Sequence, residues 1–313
     1  MPRLSARARR LAMIIKLSLS ILFIWVMEKK DIMWVAIATM IGQASMFAIL
    51  LAMMLERDNV FVIRLNEFKL NLNVCKSIAA ISFPIFLGKF IFSFGKVSVN
   101  GMCKVYGPLV VGALGVSNNV NGLATTPINS FEEGTSTIIS QNLGAGNMKR
   151  ALKTFKYSFL MASGLGILGY ILIRFILQDE IIGLYNQNAV AEGAEEFLAL
   201  IKSIHRYDSL SILALAVNSA VLGVLYGFGQ TKMTMLLNIS RVFLFRIPIL
   251  WYLQTFHKEM GAEATGISMG ISNICIAIAS LLCLGIFVWK LKRKEINGVE
   301  EAEESREVEE KTA

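Results

Sequence analysis

The feature that most constrains this chain is a succession of eight apolar runs separated by short charged clusters. Crossing a hydrocarbon core of about 30 Å takes roughly 20 helical residues. The runs Leu11 to Met27, Ile32 to Leu55, Ser77 to Val99, Leu109 to Ser140, Tyr157 to Leu177, Leu198 to Tyr226, Met233 to Leu253 and Gly266 to Trp289 are of that order. They are long and continuous, whereas barrel strands alternate over about ten residues, so the runs predict helices. Of the 313 residues, 55% are apolar and 17% charged. A soluble domain averages about 45 to 50% and about 25%, which argues against a soluble enzyme. The first run follows Arg3, Arg7, Arg9 and Arg10 as a signal peptide would. The charged Glu28 to Asp31 stands where a small-residue cleavage site would be, so we read it as a span.

With eight spans both termini share one side of the membrane, and the loops show which side. Lysines and arginines divide 17 to 5 between the two sets of loops, with the richer set holding the termini, Arg57 to Lys76 and Lys149 to Lys156. The positive-inside bias places both termini in the cytoplasm. The net charge of +8 is then a matter of sidedness and does not point to nucleic acid. Two histidines and four cysteines without metal-ligand spacing offer little for zinc or iron, and no protein cofactor is expected. We find no phosphate loop and no nucleophile beside a base.

The most informative stretch is Thr135-Ser-Thr-Ile-Ile-Ser-Gln-Asn-Leu-Gly-Ala-Gly-Asn-Met-Lys-Arg-Ala151. Gly144 and Gly146 permit a tight or left-handed turn there, and Lys149, Arg150 and Lys153 hold it at anionic headgroups. This stretch resembles the multidrug and toxic compound extrusion (MATE) family, whose two six-helix lobes each carry such a turn. Ile81-Ser-Phe-Pro84, Tyr106-Gly107 ahead of Gly112-Ala-Leu-Gly115, Leu225-Tyr-Gly-Phe-Gly-Gln-Thr231, Arg246-Ile-Pro248 and Gly261-Ala-Glu-Ala-Thr-Gly266 recur in the family's order. Leu22-Phe-Ile24 and Val35 to Gln43 resemble the end of its amino-terminal lobe.

The resemblance implies an all-α integral membrane fold. It divides the chain into a basic terminus (1–10), two helices from the end of one lobe (11–55), an inter-lobe linker (56–76), a six-helix carboxy-terminal lobe (77–292) and a charged, solvated tail (293–313). Only one Gly-Ala-Gly turn is present, so four helices of the other lobe are expected to be missing. Where the family's preceding helix often has an Asn and then an Asp-Pro, this chain has Lys16 and Ser20-Ile21. The best-studied branch carries a cation-binding carboxylate about eight residues after the counterpart of Pro84, and Phe92 stands there. Ser209 to Leu225 holds no acid either. A sodium site of that type is therefore not expected.

Ionisable groups within spans are costly, so each is a pathway candidate that needs a partner. Glu132 and Glu133 lie about 12 Å from the helix end at Ser140, and Lys89 lies about 18 Å beyond Ser77. A Lys89 to glutamate pair across the third and fourth spans would serve either proton exchange or helix register. Lys96 shares the face of Lys89 and either snorkels or meets the cavity. Asp208 pairs with Lys96 or Arg206, or sits among headgroups. Asn118, Asn119, Asn121, Asn129 and Asn218 either line a wet cavity or bond between helices. Arg241 and Arg246, five apart, do not share a helix face, and Arg246 is expected to anchor a helix rather than bind substrate. The 15 methionines and 19 phenylalanines suit a pliable chamber or lipid contact equally.

The resemblance implies a proton- or sodium-coupled antiporter of the cell (plasma) membrane that exports amphipathic, often cationic, small molecules. Its partners would be the bilayer, its substrates and a second copy or separate chain supplying the other lobe. A lipid-linked saccharide flippase of the same wider superfamily and a non-transporting membrane partner subunit or fragment are the alternatives.

Overall fold

The computed structural model describes residues 2–23, 32–55, 71–184 and 193–312. They fall into two compact units, Met1–Cys75 and Lys76–Ala313. In the first unit α1 (Pro2–Ile21) and α2 (Ile32–Leu55) pack on each other, with Phe23 and Trp34 rings 5.2 Å apart. The end of the first expected span and most of the expected linker 56–76 lie outside the described residues.

The second unit contains α3 (Leu72–Cys103), α4 (Pro108–Gly144), α5 (Met148–Ile171), the short α6 (Gln178–Leu184), α7 (Ala194–Asp208), α8 (Ser211–Gly227), α9 (Thr231–Ser240), α10 (Ile247–Phe256) and α11 (Glu263–Thr312). The centre is α4 against α8. Around it, α5 packs on both, α7 packs on α4 and α11, and α11 also packs on α8. Among the described residues there is no strand.

Burial in this unit is inverted relative to a soluble domain. Phe83, Phe86, Phe90, Phe94, Leu160, Leu282 and Trp289 are exposed. Buried instead are Ser117, Asn121, His205, Asp208, Asn218, Arg246, Ser272 and Asn273. An apolar outer surface over a polar interior suits a lipid solvent, where interhelical hydrogen bonds and close packing of small residues hold helices together. Close packing is clearest between α11 and α7. A Cβ on Gly266 would stand 2.3 Å from the Ile204 carbonyl oxygen, and one on Gly270 2.9 Å from that of Tyr207. These two glycines, four apart on one helix face, bring α11 onto the backbone of α7.

Five described helices or helix runs are long and apolar enough to cross a membrane: Met33–Ala52, Leu72–Tyr106, Met148–Ile176, Thr231–Phe256 and Glu263–Leu291. A sixth span forms if α7 and α8 are taken together. Of the eight expected spans, the first and fourth fall outside this set. At 37 residues α4 is long enough. Asn118, Asn119, Asn121, Asn129, Glu132 and Glu133 along its length make it more polar than those five.

Three departures from the expected elements have local causes. The sixth expected span breaks at Ser209 and Leu210 and bends by 44°. Ser209 Oγ donates to the Arg206 carbonyl (3.2 Å) and Ser211 Oγ to Asp208 Oδ1 (3.2 Å). Such local side-chain bonds compete with the helical ladder. The seventh expected span passes through a π-helical segment, Arg241–Arg246, immediately before Pro248 in the first turn of α10. There the proline's missing N–H is tolerated. The tail, expected as a solvated extension, continues as helix in α11 to Thr312. Its Glu, Lys, Arg and Ala are good helix formers.

Between α4 and α5 the chain reverses at Gly146, whose φ is 73°, while Gly144 is the last helical residue of α4. The left-handed position disfavours a Cβ by about 1 to 2 kcal/mol. Gly146→Ala is therefore expected to lower the thermal unfolding midpoint in detergent. Gly144→Ala, whose Cβ would meet nothing within 4 Å, is expected to leave it unchanged or raise it.

Candidate functional site

A cavity of about 450 Å³ opens inside the second unit, lined by α3, α4, the α7–α8 bend, the π segment and α11. From α3 come Phe92, Lys96, Val99 and Asn100. The α4 helix gives Asn118, Asn119, Asn121, Thr125 and Asn129, and the bend gives Asp208, Ser211 and Leu215. Arg241 and Arg246 from the π segment, with Met269 and Asn273 from α11, complete it.

Asp208 is the carboxylate of this wall. It is the last residue of α7, 3% exposed, and it accepts hydrogen bonds from Ser117 Oγ (2.9 Å) and Ser211 Oγ (3.2 Å). Its backbone carbonyl accepts from Asn121 Nδ2 at 3.1 Å. Ser117 Oγ also lies 3.3 Å from Nδ1 of the fully buried His205. One carboxylate thus ties α4 to both sides of the helix break. Asp208 is buried within the lobe, and among the described residues it forms no ion pair within 4 Å with Lys96 or Arg206. The bend turns it inward.

The opposite wall is cationic. Arg241 Nε donates to Asn273 Oδ1 at 2.8 Å, and Arg246 Nη2 donates to the same oxygen at 3.1 Å. Arg246 Nε donates to Ser272 Oγ at 3.1 Å. Those distances hold the two guanidinium groups within about 6 Å of each other. Two unit charges so placed repel by roughly 3 kcal/mol at an effective dielectric near 20. Phe92 stands between two of the cations, with Lys96 Nζ and the Arg241 guanidinium carbon each 5.0 Å from its ring centre.

The two arginines correct the sequence expectation. Five residues apart on an α-helix are about 140° apart in azimuth. The i to i+5 bonding of a π segment instead stacks such residues on successive turns, and such bulges recur at functional sites. Arg246, expected to anchor a helix, is both anchored and in the cavity wall.

Of the residues singled out in the sequence, Lys96, Asn118, Asn119, Asn121, Asn129 and Asp208 come together in the cavity. Asn218 is buried within α8 and does not line it. Lys89, Glu132 and Glu133 also lie outside it. Glu132 Oε2 accepts from Ser219 Oγ of α8 at 3.0 Å, while Glu133 and Lys89 are exposed. Among the described residues no ion pair joins Lys89 to either glutamate. Lys89 nevertheless lies near enough to Glu132 to interact with it electrostatically. A Cβ on Gly88 would stand 3.0 Å from Met235 Cα, and one on Gly95 2.5 Å from Val242 Cγ1, so α3 lies against α9 and the π segment. The sequence does not bring Phe92, Arg241 and Arg246 together: Phe92 stood there only in place of a carboxylate, and the two arginines were expected on different helix faces. The one local signal was Pro248, which marks where an α-helical ladder upstream would lose a donor.

Among the described residues no three His, Cys, Asp or Glu side chains gather where they could hold a metal ion.

A polar cavity enclosed by helices whose outer faces suit lipid defines a helical membrane transporter fold. The MatE family model matches residues 84–252, more than half of the chain, and the chain belongs to that transporter family. It is similar to Protein DETOXIFICATION 18 of Arabidopsis thaliana, 29% identical over 154 residues, which are 49% of this chain and 31% of that protein. Protein DETOXIFICATION 28 of the same plant is 27% identical over 139 residues, 44% of this chain and 27% of that protein. The aligned regions thus span about a third of these relatives. Among solved structures, a MOP superfamily transporter from Pyrococcus furiosus, its binding-pocket polarity described as reversed, superposes with a TM-score of 0.79 at 18% identity. The match covers 90% of this chain and 62% of that one. The outward-facing conformation of a multidrug resistance MATE family transporter gives 0.78 at 17% identity, with the same coverages. The inward-facing conformation gives 0.68 at 17%, covering 90% of this chain and 64% of that one. These structures share the fold.

Proposed function

We propose that this chain forms one wall of a cation-coupled antiporter that exports amphipathic small molecules by alternating access. The observation that carries the reading is Asp208, a buried carboxylate on the cavity wall, bonded to α4 and α8 at the α7–α8 bend. In the ionised form it accepts from Ser117 and Ser211. A proton on Oδ1 or Oδ2 takes a lone pair that neither serine uses and adds an O–H donor that needs an acceptor of its own, so the hydrogen bonding at the bend changes. Proton uptake is thereby converted into a change at a helix bend, the kind of two-state element that alternating access needs.

Arg241 and Arg246 in the same lining disfavour a resident sodium ion, which supports a proton as the coupling ion. The loop charge bias supports cytoplasmic termini, and export supports the plasma membrane as the site of action. Alternating access rocks two lobes about a central site, so the facing wall is proposed to come from a second lobe, in a second copy, a separate chain or a further part of the same protein. The test is reconstitution of the purified chain in vesicles with an imposed proton or sodium gradient. A proton gradient is expected to drive accumulation of amphipathic dyes in preparations that hold paired lobes. A sodium gradient with equal pH on both sides is expected to drive none.

A further inference from the structure

We propose that the cavity in this lobe is an organic-anion site, which takes an acidic group on an amphipathic, partly aromatic molecule against Lys96, Arg241 and Arg246. This rests on the transporter reading above and names its substrate class. Three cationic side chains line the cavity and one carboxylate does, and that carboxylate is occupied by hydroxyl donors from Ser117 and Ser211. Among the described residues no carboxylate lies within ion-pair distance of any of the three cations. Both arginines are instead held by the same neutral amide oxygen of Asn273.

A guanidinium has five N–H donors. Among the described residues Arg241 uses Nε alone and Arg246 uses Nε and Nη2. Buried charge of one sign, positioned by neutral partners and left with free donors, is completed by a ligand of opposite charge, and the planar fork suits a two-oxygen acid. Phe92 offers an aromatic face between Lys96 and Arg241, and Val99, Leu215 and Met269 give the apolar part of the wall. A permanently cationic drug would face net repulsion in the same space. A proton on Asp208 removes the one negative charge of this wall and by charge alone favours the anion, so exchange of the two depends on the helix bend.

The experiment is equilibrium binding to the purified chain in a neutral detergent, with anilinonaphthalene sulfonate as anionic probe and tetraphenylphosphonium as cationic probe. The sulfonate is expected to bind at least about tenfold more tightly than the phosphonium, since a charge-assisted contact is worth that factor or more. Lys96→Gln and Arg241→Gln are each expected to weaken the sulfonate by about tenfold. Arg206→Gln, on the exposed face of α7, is expected to leave it unchanged. Lys96 is an exposed residue of the lining, so its variant remains informative if Arg241→Gln misfolds. Displacement of the probe by soluble aryl carboxylates supports small-molecule acids as the ligands. Displacement by phosphatidylglycerol alone, equal or tighter phosphonium binding, or sulfonate binding indifferent to Lys96→Gln would overturn the proposal. Sulfonate binding without any gradient-driven flux would keep the anion site and remove the transporter reading, whereas phosphonium flux without sulfonate binding would do the reverse.

Discussion

Asp208→Asn is expected to reduce gradient-driven export to the leak of protein-free vesicles while leaving expression and membrane insertion intact. The amide keeps the volume of the side chain, and its oxygen still accepts from Ser117 or Ser211. It cannot gain or lose a proton, so the bonds at the α7–α8 bend stay in one arrangement and the cleft loses its link to the gradient. Glu132→Gln provides the contrast. Glu132 is bonded to Ser219 outside the cavity, so its amide variant is expected to keep export and its pH dependence. Loss in the Glu132 variant with survival in the Asp208 variant would move the coupling site down α4 and reject the one described here. Export is followed by fluorescence of a self-quenching dye, with surface expression measured in parallel.

Gly266→Ala is expected to be the most damaging single-methyl change in the second unit. Its Cβ would lie 2.3 Å from the carbonyl oxygen of Ile204, 3.0 Å from its carbonyl carbon and 3.1 Å from its Cα. All three are backbone atoms, so no rotamer relieves the clash and α7 must move away from α11. Overpacking of this kind costs about 1 to 3 kcal/mol, occasionally more. The displacement would also reach the site, because Asp208 ends α7 and Asn273 lies two turns along α11 from Gly266. Gly285→Ala in the same helix meets nothing within 4 Å and serves as control. Thermal unfolding in detergent is expected to show a lower midpoint for Gly266→Ala alone. An unchanged midpoint would mean that α7 and α11 can separate at no cost.

The helical membrane class was legible from run length, because roughly 20 continuous apolar residues have few other uses. Six residues of the cavity wall were legible too, since amides and charges within apolar runs stand out. The arginine wall was not, because residue spacing was converted to azimuth with the α-helical period, and a π segment changes that period just where the two arginines sit. The inward turn of Asp208 was hidden for a related reason. The run from Leu198 to Tyr226 reads as one span, and only the serines on either side of Leu210 hint that local bonds interrupt it. Lys89 and Glu132 interact electrostatically but do not close the expected ion pair. Depth along two spans can be counted from sequence, but small residues at positions 88 and 95 decided that α3 would lie against α9 and the π segment.

The most direct test of the central claim follows substrate and cation together in vesicles containing the purified chain, with the number of chains per particle counted by single-molecule photobleaching. Outward substrate movement accompanied by inward proton movement, confined to particles with paired lobes and absent from the Asp208→Asn protein, is the expected result. Substrate movement by single chains, or movement with no accompanying proton flux, would contradict it.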